Sequence, residues 1–215
     1  MGYQLAIFDL DGTLLDTLED LTDSVNYVLW KSGHPERTME EVRSFVGDGI
    51  HKLIERSLPE GTAPFIVEEC FKEFTTYYKV HCADKTKPYD GIPELLETLR
   101  AAGVRTAVVS NKADYAAKEL CTKHFPGMFD EVVGERLGIR RKPSPDSVNE
   151  VIRLLGAEKA ETVYIGDSDV DIQTALNAEI DGIFVSWGFK GEAFLKEAGA
   201  TKIVAKAQEL LGLLL

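Results

Sequence analysis

Cysteine is scarce in this 215-residue chain. Cys70, Cys82 and Cys121 are widely spaced and odd in number. They form no CxxC pair, which excludes a disulfide-stapled scaffold and a thiolate metal site and leaves free thiols suited to a reducing cytoplasm. Long apolar runs are missing too. The apolar stretch Leu5–Leu10 is broken by Asp9, and Asp11 follows, so no secretory leader is expected there. Leu210–Leu215 falls far short of the ~20 residues that cross a bilayer and reads as the last turns of an amphipathic helix. Positive charge is in deficit, with 24 Lys and Arg against 36 Asp and Glu, a net charge of −12. So acidic a surface repels phosphate backbones and anionic lipid, which argues against nucleic-acid and membrane partners. An anionic substrate would need local positive charge or a metal.

What is present is ordinary for a globular protein: 44% hydrophobic and 28% charged residues. The length suits one large domain, or one domain carrying a smaller insert. Short, nearly continuous apolar runs recur at Tyr3–Phe8, Arg105–Val109, Glu131–Val133, Thr162–Ile165 and Gly182–Val185. Strands buried on both faces of a parallel sheet look like this. Between them lie helical patterns: Ile92–Ala102 with Leu95, Leu96 and Leu99, Pro145–Leu155 with Val148, Val151, Ile152 and Leu155, and Asp169–Ala178 with Ile172, Ala175 and Leu176. The alternation predicts an α/β fold, a doubly wound parallel sheet.

One stretch breaks the rhythm. Residues 17–83 contain no convincing strand and read as four helices, 17–32, 39–46, 50–57 and 64–82, punctuated by Gly33, Pro35, Gly47, Gly49, Pro59, Gly61 and Pro64. This predicts an all-helical subdomain inserted after the first strand, with the core formed by residues 1–16 and 84–215. Ligands of such sheets bind at the carboxyl ends of the strands, and the insert leaves from one of those ends.

Three strands end in polar residues: Asp9-Leu-Asp11-Gly12-Thr13, Ser110-Asn111-Lys112 and Gly166-Asp167-Ser168, with Asp169 and Asp171 just beyond. Lys142 precedes Pro143-Ser144-Pro145. Gathered carboxylates raise one another's pKa unless a cation intervenes. A few hard oxygen ligands suit Mg²⁺. Ser110, Lys142 and the backbone N–H groups after Asp9 are suited to an anion. Metal, anion cradle and free carboxylate are the needs of phosphoryl transfer.

These segments, in this order, resemble the haloacid dehalogenase superfamily over the whole chain, helical insert included. The resemblance implies a nucleophilic Asp9 that forms an aspartyl-phosphate, and an Asp11 that protonates the leaving alcohol and then activates water. It implies phosphate-binding Thr13, Ser110, Asn111 and Lys142. It further implies Mg²⁺ held by Asp9, the Asp11 backbone carbonyl and Asp167, with Asp171 acting through water or by orienting Lys142. The dehalogenase branch lacks an acid at the position of Asp11, so phosphate chemistry is favoured over halide chemistry.

Within the superfamily, Arg43-Ser-Phe-Val-Gly47-Asp-Gly49, Tyr89-Asp-Gly-Ile-Pro93 and Val185-Ser-Trp-Gly188-Phe resemble phosphoglycolate phosphatases. That makes Arg43, Gly47, Gly49 and Lys112 candidate specificity residues. It implies a cytoplasmic monomer or homodimer acting on a small phosphorylated metabolite. Pyrophosphatases and small sugar-phosphate phosphatases share much of the pattern. One departure is Ala178-Glu179, where relatives usually have Ala-Gly.

Blander readings apply elsewhere. Asp169 reads as a first-turn acid, Ser168 as cap or site residue, and Trp187 and Phe189 as packing. His34, His51, His81 and His124 read as structural or exposed. A calcium loop starting at Asp9 fails at its twelfth position, Asp20. A phospho-acceptor receiver domain would carry its acidic pair before the phosphorylated Asp and no helical insert. A regulatory protein on an inactive scaffold is disfavoured because every catalytic position is filled.

Overall fold

A computed structural model describes residues 2–215, which group into two compact units. One holds residues through Leu15 together with Pro88–Leu215, and the other is Asp16–Lys87.

The larger unit is built on six parallel strands: β1 (Leu5–Phe8), β4 (Arg105–Ala113), β5 (Glu131–Glu135), β6 (Thr162–Gly166), β7 (Asp181–Val185) and β8 (Ile203–Val204). Their spatial order is β5-β4-β1-β6-β7-β8. β2 (Leu15–Asp16) and β3 (Lys87–Pro88) pair with each other where the chain passes between the units. Both faces of the six-stranded sheet are covered, so β1 is buried at every position and shows no polar alternation. Helices α7 (Asp146–Leu155), α8 (Asp169–Ala178) and α9 (Gly191–Glu197) pack on the face carrying Leu5, Ile7, Val109 and Tyr164. Helices α5 (Ile92–Ala101), α6 (Asp114–His124) and α10 (Ala207–Leu214) complete the unit. The expected doubly wound α/β architecture is the one observed.

The smaller unit holds α1 (Leu18–Lys31), α2 (Met39–Phe45), α3 (Ile50–Ser57) and α4 (Pro64–His81). α1 buries Leu18, Leu21, Val25, Val28 and Leu29. α4, opened by Pro64 at its first turn, buries Val67, Cys70, Phe74 and Tyr78. α2 begins with a reciprocal capping box between Thr38 and Glu41. Buried Asp20 takes hydrogen bonds from the Lys85 and Thr86 backbone N–H groups and the Thr86 hydroxyl, at 2.7–3.1 Å. Those bonds tie the first turn of α1 to the segment after α4.

Some details differ from the sequence reading. β4 continues past Val109 to Ala113 through a register irregularity, so Ser110, Asn111 and Lys112 lie within the strand. α6 escapes the periodicity because its buried stripe is the weakly apolar Ala116, Ala117, Leu120 and Cys121. α9 has only seven residues and β8 two, too short to show a period. Leu176 is exposed, and α8 buries Ile172, Ala175 and Ala178 instead. All three cysteines are free and buried. Among the described residues no helix is long and apolar enough to cross a membrane.

Glu179 ends α8 in the left-handed region (φ 58°, ψ 44°), the one described non-glycine residue with positive φ. The Cβ penalty there is about 1 kcal/mol, only partly offset by glycine's larger unfolded-state entropy. The exposed Lys159–Glu179 pair, at 3.0 Å, offsets little of it. Glu179→Gly is therefore expected to raise Tm by about 1–3 °C in a thermal melt. A lower Tm would show that the ion pair outweighs the backbone strain.

Candidate active site

The parallel register gathers the polar strand ends. Phe8 of β1 pairs with Val108 of β4 and Ile165 of β6. One step on, Asp9 is level with Val109 and Gly166, and Ser110 and Asp167, each one residue further along its strand, lie at the same edge. The Asp9 N–H is fixed by the Ile165 carbonyl at 2.8 Å.

Lys142 occupies the centre of this edge and is buried. Its Nζ donates to Asp171 Oδ1 at 2.8 Å and to the Tyr164 hydroxyl at 2.9 Å. It lies 2.9 Å from Asp9 Oδ1. That contact is an ion pair in which the Lys142 ammonium opposes the upward push of burial on the Asp9 carboxyl. The other Asp171 oxygen accepts from Asp167 N and Ser168 N, each at 3.1 Å, and from Ser168 Oγ at 2.6 Å. Ser168 is thus the N-cap of α8, and its capping partner is the carboxylate that holds Lys142.

Asn111, read from the sequence as a phosphate-binding residue, grips the backbone of Lys142. Its Oδ1 accepts from Lys142 N at 2.8 Å and its Nδ2 donates to Lys142 O at 3.1 Å. Lys112, read as a specificity residue, is buried and donates to both oxygens of Asp11, at 2.9 and 3.2 Å. Thr13 is buried with its hydroxyl unpaired, and its carbonyl is held by the Trp187 indole N–H at 3.0 Å. Ser110 is buried, its Oγ 3.3 Å from Lys112 N. Arg43, Gly47 and Gly49 lie in the helical unit. Arg43 contacts Glu40 at 3.5 Å, and Gly49, at φ 83°, caps α3.

Asp167 sits between two glycine backbones. A Cβ on Gly12 or on Gly188 would collide with its carboxylate, and Gly12 also has φ 83°. Phe189 N donates to Asp167 Oδ2 at 2.6 Å. The sequence reading of Trp187 and Phe189 as packing residues missed these backbone contacts. Tyr164 was missed as well, because a tyrosine inside an apolar strand looks like core.

The family model for haloacid dehalogenase-like hydrolases matches residues 6–185 of this chain. The chain belongs to that family. Its relatives in sequence include phosphoglycolate phosphatases of Aquifex aeolicus, 32% identical over 86% of each chain, and of Caulobacter vibrioides, 33% identical over 86% of this chain and 80% of the other. Among solved structures, a proposed phosphoglycolate phosphatase from Lactobacillus delbrueckii subsp. bulgaricus superposes with a TM-score of 0.96. It is 41% identical and covers 100% of this chain and 99% of the other. The resemblance drawn from the four sequence segments is met in full.

In this hydrolase, carboxylate oxygens of Asp9, Asp167 and Asp171 lie within 4.8 Å of one another. Burial pushes the Asp9 carboxyl up to about 6, with the charges of Asp171 and Asp11 adding to it and Lys142 opposing. Burial, then the charges of Asp171 and Asp9, hold Asp167 well above the usual carboxylate range. Burial alone would lower Lys142, but the Asp171 and Asp9 charges outweigh it and hold the amine firmly protonated. One ammonium thus faces three buried carboxylates, and the negative excess suits a divalent cation with hard oxygen ligands.

The sign of the pH dependence follows. A carboxyl raised in the folded state adds stability below its unfolded pKa and loses it as pH rises through the folded value. Metal-free protein should therefore lose this contribution above about pH 4, with Asp9 fully discharged of its proton beyond about 6. Protons compete with a cation for the same oxygens. The rise in Tm produced by millimolar Mg²⁺ over chelator should accordingly be largest at pH 7.5, shrink as pH falls through 6, and vanish in Asp167→Asn. A Tm rise independent of both pH and Asp167 would place the cation elsewhere.

Proposed function

We propose that this hydrolase is a cytoplasmic, Mg²⁺-dependent phosphomonoesterase, acting through an aspartyl-phosphate, whose substrate is 2-phosphoglycolate. The observation that carries the reading is the state of Asp9. It is a buried carboxylate with one oxygen held 2.9 Å from a fixed ammonium. A nucleophile in that state is fixed in place and loses the water that would blunt it.

Asp9 attacks phosphorus and the bond from phosphorus to the substrate oxygen breaks. Asp11 gives its proton to the departing alcohol. In the second half, Asp11 takes a proton from water, the water oxygen attacks phosphorus, and the acyl-phosphate bond breaks to release phosphate and restore Asp9. Lys112 holds the Asp11 carboxylate at 2.9 Å between these tasks. The unpaired Thr13 hydroxyl, Ser110 and the Lys142 charge serve the phosphoryl oxygens. Asp9, Asp167 and the Asp11 carbonyl would hold Mg²⁺, which supplies charge stabilisation for the phosphoryl group when bound. Asp171 is already engaged by one ammonium, two N–H groups and one hydroxyl, so its part is to orient Lys142.

The substrate assignment is supported by the names borne by the relatives, at 32 and 33% identity, and by the cap-loop segment around Arg43. A two-carbon acid offers little area, so its carboxylate needs charge-assisted hydrogen bonds. Arg43 and the N–H groups near Gly47 and Gly49 are the donors we assign to it. Free, buried thiols fit a reducing compartment, and a monomer or homodimer completes the reading.

Two measurements test it. Asp9→Asn is nearly isosteric and should fold, yet lose at least ~10³-fold in kcat. Activity within tenfold of wild type would rule out the covalent route. Across a panel of phosphorylated metabolites, kcat/KM should be greatest for 2-phosphoglycolate, and Arg43→Ala should lower it by about tenfold while an aryl phosphate changes far less. Preference for pyrophosphate or a sugar phosphate would replace the substrate while leaving the phosphatase chemistry in place.

A further inference from the structure

Tyr164 is the one aromatic hydroxyl within hydrogen-bonding distance of the Lys142 ammonium among the described residues. It stands on β6 opposite Ile7 of β1, in the strand layer just before Asp9, and is fully buried. Its hydroxyl meets three parts of the fold at once. It accepts from Lys142 Nζ at 2.9 Å, donates to the Val109 carbonyl at 3.0 Å, and lies 3.2 Å from Asp171 Oδ1. Val109 is the residue before Ser110, Asp171 is on the first turn of α8, and Lys142 lies in the loop before α7.

We infer that Tyr164 is a positioning residue for the reaction, acting through Lys142 to keep the ammonium in place beside Asp9 Oδ1. The inference rests on the phosphatase reading above. An ammonium has three N–H donors. Two aligned bonds, to Asp171 and Tyr164, fix its rotation about the last side-chain bond. Asp9 Oδ1 lies 2.9 Å from the same nitrogen. With only Asp171 to hold it, the ammonium would be free to shift from its place beside Asp9 Oδ1, and the carboxylate that attacks phosphorus would lose its fixed counter-charge. The hydroxyl also links the Lys142 ammonium to the strand that presents Ser110, because its single proton serves the Val109 carbonyl. A phenylalanine would fill the same strand position equally well as core, so the oxygen is what the packing leaves unaccounted for.

The test is Tyr164→Phe, which keeps the ring and removes the oxygen. Steady-state kinetics with an aryl phosphate and saturating Mg²⁺ should show kcat down by about tenfold or more with KM within about threefold. That split marks a group acting on the attacking oxygen rather than on binding. Unchanged kcat with only a lower Tm would overturn the inference and make the hydroxyl a strut, and a loss confined to KM would overturn it by assigning the oxygen to binding. Tyr164→Met is measured alongside. If both variants fail to show a cooperative thermal transition, the hydroxyl is structural and the inference falls. Wild type and Asp9→Asn run in the same assay separate the two levels. An active wild type with inactive Asp9→Asn upholds the phosphatase reading whatever Tyr164→Phe does, and an equally active Asp9→Asn removes both.

Discussion

An ammonium and three carboxylates, all withdrawn from water at the end of one strand layer, set the terms for the rest of the core unit. Removing ions from water costs several kcal/mol each even after relaxation, and mutual attraction recovers it only with good geometry and satisfied hydrogen bonds. Lys142 and Asp171 meet that condition. Their contact is 2.8 Å, and the remaining Asp171 oxygen accepts two backbone N–H groups and a hydroxyl. Asp9 and Asp167 do not meet it, and burial holds both carboxyls high. The site is therefore short of positive charge by design of its own packing. That shortage is what a divalent cation would relieve.

Close packing around these charges constrains residues that carry no charge. Asp167 is reached by the backbone of Gly12 on one side and Gly188 on the other, and a methyl group at either would strike it. The Trp187 indole ties the Gly188 loop to the Gly12 loop through the Thr13 carbonyl, and the Phe189 N–H ties it to Asp167 itself. Helix capping is drawn into the site as well. The Ser168–Asp171 capping box that starts α8 is also the clamp on Lys142, so one pair of side chains serves local helix stability and site electrostatics together.

The helical unit follows ordinary rules by comparison. Its core is the apolar stripe of α1 against that of α4, its helix starts use a capping box and a proline, and its one deeply buried acid, Asp20, is spent on backbone N–H groups.

The sequence by itself determined the alternation of strands and helices and the helical insert, and it marked Asp9, Asp11, Thr13, Ser110, Lys142, Asp167 and Asp171 as candidates for the chemistry. Each stands where an apolar strand pattern gives way to polar residues or beside a proline-marked loop, a local signal that needs no partner to be read. What only the tertiary structure decided is which groups meet. Asn111 and Lys142 are 31 positions apart, Lys112 and Asp11 101, and Tyr164 and Val109 55. Their pairing depends on β4, β1 and β6 being neighbours in that order and register. Tyr164 in particular is a buried aromatic to any periodicity, because a hydroxyl shows its purpose only when an ammonium from another segment is folded against it. The same holds for Glu179, where a departure from the family pattern was visible in the sequence but the left-handed backbone it must adopt was set by how α8 ends.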